Sequence, residues 1–141
     1  MATGTSLSSY TEAQLLNWVK GTTFVAAPAN LYVALYTANP TDASASGTEV
    51  SGNAYTRVAI LAAGWSAITD SGAGVGAVIS NAGIVTFPTP TLTWGTVTGF
   101  ALYDALTLGN EVFWAALSAS KVINAGDTVS FAVGALTITV D

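Results

Sequence analysis

The chain contains no cysteine and no histidine. The first absence excludes a disulfide framework and leaves the redox compartment open. Together they remove the usual ligands for zinc, iron and copper, and with them His-dependent triads and cysteine nucleophiles. Charge is almost as scarce. Three Lys and Arg stand against eight Asp and Glu, a net charge of −5, and charged residues make up 8% of the 141 residues. Ordinary globular chains carry roughly 25%. The three cations, Lys20, Arg57 and Lys121, are too few to neutralise a nucleic-acid backbone, so DNA and RNA are excluded as partners. No apolar run approaches the ~20 residues that cross a bilayer, so no membrane partner is expected. The opening MATGTSLSSY has neither the basic nor the apolar region of a secretory signal.

What remains is a chain of ordinary apolar content, 51% hydrophobic, whose surface must be built from Ser, Thr, Ala, Gly and Asn. Such a surface suits a subunit covered by neighbours. A secreted or virion protein can also carry it uncovered. The length fits one domain with a sizeable core, and no internal repeat or domain boundary interrupts residues 1–141.

One helix is predicted, over 10–20, after an arm at 1–9. Ser9 and Glu12 have the spacing of a capping box. Leu15, Trp18 and Val19, with Leu16 alongside, form an apolar stripe that must pack on something, since so short a helix is marginal alone. Lys20 suits the last turn and Gly21 the left-handed position beyond it. The pattern then changes to period two: Leu31, Val33 and Leu35 alternate with Tyr32, Ala34 and Tyr36. Further strands are predicted at 55–61, 77–80, 83–87, 94–105, 111–117, 128–133 and 135–140. Residues 94–105 and 111–117 form a hairpin across Leu108-Gly109-Asn110. About eight short strands without helical crossovers predict an all-β, antiparallel β-sandwich or jelly-roll-like domain with one short N-terminal helix.

Catalytic chemistry finds little support. Asp104 and Glu111 flank the hairpin and could face each other like a glycosidase pair, but solvated residues beside a turn look the same. Asp70 and Asp127 follow turn chemistry, without the spaced acidic run of a calcium loop. The run Gly72-Ala73-Gly74-Val75-Gly76 has neither the lysine nor the following helix of a phosphate loop. Trp65, Trp94 and Trp114 suit packing better than a sugar platform. No enzyme activity, cofactor or metal is expected. The long polar segment 40–53 has no periodicity, and such loops are often functional. With Arg57, a residue type enriched at interfaces, it supplies the candidate interface residues Thr41, Asp42, Glu49, Val50 and Arg57. The 1–9 arm and the Gly-rich 70–77 loop are the other interface candidates.

The ordered succession of segments carries a resemblance. Leu31-Tyr32-Val33-Ala34-Leu35-Tyr36-Thr37 precedes Asn39-Pro40-Thr41-Asp42, then Gly47-Thr48-Glu49-Val50-Ser51-Gly52 and Tyr55-Thr56-Arg57. Ile79-Ser80-Asn81, Phe87-Pro88, Trp94-Gly95-Thr96-Val97-Thr98 and Leu102-Tyr103-Asp104-Ala105 follow, and Gly109-Asn110, Ala125-Gly126-Asp127, Phe131 and Gly134-Ala135-Leu136-Thr137 close the series. Over about residues 10–141 the chain resembles small tailed-bacteriophage virion proteins usually labelled phage tail fibre protein. The resemblance implies a structural subunit of the virion, assembled in the host cytoplasm, whose partners are copies of itself and other virion proteins. A tail-fibre or tail-associated part is the first expectation. A capsid decoration or head-fibre protein is the alternative, and a receptor- or glycan-binding tip a further one. Without repeats the chain is too short for a long fibre shaft.

Overall fold

A computed structural model describes residues 6–41, 46–70 and 76–140. Among them lie eleven strands and one α-helix, and every strand pairing is antiparallel. The largest sheet contains β1 (Ser6–Leu7), β2 (Asn30–Ala38), β3 (Thr48–Glu49), β4 (Val58–Leu61), β8 (Gly95–Tyr103) and β9 (Glu111–Ile123), in the order β1-β9-β8-β2-β3. β4 shares with β3 the outer edge of β2. Two small sheets complete the fold. β5 (Thr69–Asp70), β6 (Ala77–Ser80) and β11 (Thr137–Val140) form one, and β7 (Val85–Thr86) and β10 (Ser130–Phe131) the other.

The predicted alternation sets the core. Val33 and Leu35 of β2 and Phe100 and Leu102 of β8 turn to one side of the large sheet, where they meet Val85, Phe87, Leu136 and Ile138 from the small-sheet side. Sheets packed over one apolar layer make a sandwich. Phe131 reaches across to Phe100, edge to face at 5.7 Å between ring centroids. Asn81 ties the small sheets together from inside. Its buried amide donates to the Gly83 and Ala132 carbonyls at 2.7 and 2.8 Å and accepts from the Leu136 N–H at 2.9 Å.

Several expectations shift in detail. The hairpin forms, but β9 runs on to Ile123. Segment 40–53 contains β3, two residues too short to show a period. Residues 128–133 and 135–140 contribute β10 and β11, which pair with β7 and β6. The helix, α1 (Ser9–Val19), is capped by Ser8, not Ser9. Ser8 Oγ accepts from the Thr11 N–H at 3.3 Å and donates to the Glu111 carbonyl. Thr11 Oγ1 donates to the Val112 carbonyl at 2.7 Å. The carbonyls they reach lie at a β-bulge: Phe113 pairs with Leu102 and Glu111 with Tyr103, so Val112 is the extra residue. At the other end Gly21 takes φ +83°, and the amides of Gly21 and Thr22 close on the carbonyls of Trp18 and Asn17.

The stripe of α1 faces the other way from the expectation. Tyr10, Thr11, Gln14 and Asn17 are the half-buried positions, while Leu15, Leu16, Trp18 and Val19 are exposed. The physical reason lies at the anchor. Capping and hydroxyl bonds to the bulge fix the rotation of the helix through Ser8 and Thr11, and that rotation turns the polar row inward.

Candidate functional site

The face of the large sheet away from the core carries a second cluster. Ala34 and Tyr36 of β2 and Ala101 and Tyr103 of β8 are buried there, with Tyr32 and Trp114 packed against them. The bulge at Val112 brings Glu111 onto this same face, opposite Tyr103.

Arg57 holds the cluster. Its Nε and Nη2 donate to the two oxygens of Glu49, both at 2.8 Å. Nη1 donates to the carbonyls of Ala105 and Leu108 at 3.0 and 2.8 Å, and the guanidinium lies 3.6 Å from the centre of the Tyr103 ring. This bidentate, stacked arrangement is specific to arginine. Burial works against its charge, but the paired Glu49 carboxylate outweighs that and raises its pKa. Tyr55 donates to Glu49 Oε1 at 2.9 Å and accepts from the Leu35 N–H at 2.9 Å. One clamp therefore joins β2, β3, the segment before β4 and the β8–β9 turn.

A hydroxyl relay runs beside it. Tyr103 donates to Glu111 Oε2 at 3.2 Å, so the 2.5 Å contact between Tyr36 and Tyr103 is filled by the Tyr36 proton. Burial pushes the pKa of both tyrosines up. Burial also raises that of Glu111, against the lowering effect of the Tyr103 bond. Glu111 Oε1 and Trp114 Nε1 are buried without a hydrogen-bond partner.

The candidate interface residues separate. Glu49 and Arg57 form the clamp, and Val50 sits in the core with its N–H on the Leu35 carbonyl. They border an open groove of about 310 Å³ rimmed by Ser51, Thr56, Leu106 and Leu108. Thr41 is exposed and bonds to Ser46 through its N–H and hydroxyl. Asp42 lies outside the described residues, as do residues 1–5 of the arm and 71–75 of the Gly-rich loop.

The carboxylates proposed as a hydrolytic pair point to separate partners. Asp104 accepts from the backbone and side chain of Asn110 at 2.7 and 2.8 Å, closing the hairpin turn, while Glu111 faces the tyrosines. Asp127 closes its own turn on the Asn124 N–H at 2.8 Å. Among the described residues no group of three His, Cys, Asp or Glu could hold a metal ion. Trp94 is buried and donates to the Asn53 carbonyl at 3.0 Å, and Trp65 packs against the core. The tyrosine cluster was not anticipated from sequence. Its signal was the recurrence of Tyr32 and Tyr36 on one face of β2, with Tyr103 opposite Tyr32 on β8.

What the geometry offers is a set of interlocking polar contacts. The family model described as podophage GP4 fiber I protein gp80 matches residues 6–139. The chain belongs to this family. It is therefore a bacteriophage fibre-type structural protein and a component of the virion. The family description names a fibre without its place on the particle, so it supports a phage fibre-type protein and not specifically a tail fibre. The family is one of structural proteins, not of enzymes. No protein among the curated sequences matches the chain. Among the described residues no helix is long and apolar enough to cross a membrane.

Proposed function

We propose that this chain is a tail-fibre or tail-associated subunit, built into the virion by protein–protein contacts with its own copies and with other virion proteins. The observation that carries the reading is its surface. Leu16, Trp18, Val19, Ile68, Ile84 and Leu108 are each more than half exposed, on a chain with few charges to separate them. Apolar surface of this extent marks association. A rigid, clamped scaffold that leaves such residues outside suits a repeated building block.

The 41–57 side is the proposed contact with other virion proteins. There Thr41 is exposed and the clamp of Glu49 and Arg57 stiffens the rim, with Val50 supporting it from the core. Asp42 belongs to the same proposed segment. A glycan-binding tip gains less support, because Trp65, Trp94 and Trp114 are used in packing.

Immunogold labelling of intact virions with an antibody to the chain tests the placement. Gold on the tail supports the reading. Gold spread over the head overturns the tail placement and makes the chain a head fibre or decoration subunit. An unlabelled virion overturns the proposed role altogether.

A further inference from the structure

The helix α1 is inside out. Its half-buried row is Tyr10, Gln14 and Asn17, whereas its apolar residues look outward: Leu15 is 44% exposed, Leu16 63%, Trp18 60% and Val19 68%. Phe24 and Val25, in the segment after the helix, are 44% and 45% exposed. Together these six leave on the order of several hundred Å² of apolar surface uncovered. A typical monomer's largest patch is ~300–600 Å², and a standard interface takes about 800 Å² from each partner.

The patch is not flat. Between α1 and residues 24–28 runs a groove of about 470 Å³, lined by Tyr10, Gln14, Phe24, Val25, Pro28 and Leu31 among others. Trp18 follows Gln14 at four-residue spacing and is 60% exposed. Leu15, Leu16 and Val19 form the ridge beyond it. One copy thus presents both an apolar ridge and an adjoining apolar groove. Charge is complementary as well. Lys20 ends the ridge, and Asp104 lies in the groove wall.

We infer that this surface binds a second copy of the same chain, the α1 ridge of one copy seating in the groove of the next. The inference rests on the reading of the chain as an assembling subunit and names the surface through which it meets itself. An amphipathic helix in an apolar groove is a recurring mode of recognition. Here helix and groove belong to the same chain, so the contact propagates from copy to copy until it closes reciprocally or around a ring.

Sedimentation equilibrium of the purified full chain tests it. The wild type is expected at a multiple of 14.2 kDa. Leu16→Glu with Val19→Glu is expected at the single-chain mass with an unchanged far-ultraviolet circular dichroism spectrum. Leu92→Glu with Val133→Glu, adding the same charge at other exposed apolar positions, is expected to keep the wild-type mass. The cysteine-free background allows a second measurement that does not depend on a charged variant folding. Mixing tagged Val19→Cys chains with untagged Val25→Cys chains should give a mixed disulfide between copies under mild oxidation.

A wild type that stays at single-chain mass at every soluble concentration would overturn the inference. So would an oligomer that survives both glutamates, or the absence of the mixed disulfide. These outcomes separate from failure of the virion reading. Labelled virions with a monomeric chain reject only the self-contact, and an intact oligomer with unlabelled virions rejects only the virion role.

Discussion

The two faces of the large sheet bury neighbouring residues of the same strands by different physics. On one side Val33, Leu35, Phe100 and Leu102 pack into a continuous apolar layer. On the other Ala34, Tyr36, Ala101 and Tyr103 are equally buried, but beneath directional contacts from Arg57, Glu49 and Glu111. The first face tolerates rearrangement that keeps volume. The second tolerates little, because the groups of Arg57, Glu49, Tyr36 and Tyr103 meet partners of fixed geometry. The difference assigns tasks: the apolar layer holds the fold together, while the clamp fixes the shape of the rim around β3 and the β8–β9 turn.

If that division is right, the largest loss comes from the apolar side. Phe100 is fully buried against Phe131, and Phe100→Ala should lower the unfolding free energy by about 3–5 kcal/mol. Urea denaturation measures it. A loss under about 1 kcal/mol would mean that the layer collapses easily around the void and is not the main source of stability.

Arg57→Met comes next. It removes the partner of Glu49 and the donors to Ala105 and Leu108 while keeping much of the stem. A fully buried pair broken from one side costs about 3–5 kcal/mol. Glu49 is partly exposed and can rehydrate, so about 2–3 kcal/mol is expected here. Arg57→Lys should recover little of it, since an ammonium cannot make the fork. Full recovery by lysine would reduce the clamp to a point charge and erase the contrast between the faces.

The contrast also explains what could be read from the sequence. Alternation in 31–36 located β2, and Leu108-Gly109-Asn110 located the hairpin, because both signals are local. The same alternation reports only which residues share a face. It does not say that Tyr103 is covered too, since its cover comes from Arg57, distant in the chain. Arg57 reads as a candidate interface residue, and its partner Glu49 sits on a two-residue strand without periodicity. Ser8 and Ser9 are both competent caps, and only the carbonyls exposed by the Val112 bulge decide between them. The same contact decides the rotation of α1. The sequence therefore revealed its apolar stripe and not the direction that stripe faces.

The smallest effect should come from Glu111, where the polar face is least complete. Burial holds its carboxyl above the usual carboxylate range, and one of its oxygens has no hydrogen-bond partner. The folded chain then binds the Glu111 proton more tightly than the unfolded chain. Between the ordinary carboxylate pKa and the raised one, the folded state holds more protons, so stability falls as pH rises through that window. Below the window the group contributes nothing, and above it the penalty is complete. Glu111→Gln removes the ionisation and keeps an acceptor for Tyr103. It should leave stability unchanged at pH 3, raise it at pH 7 by less than either loss above, and flatten the decline between. Melting temperatures across that range measure it. A variant less stable than wild type at pH 7, with the slope unaltered, would show that the ionised carboxylate is welcome on this face and that the hydroxyl relay supports it fully.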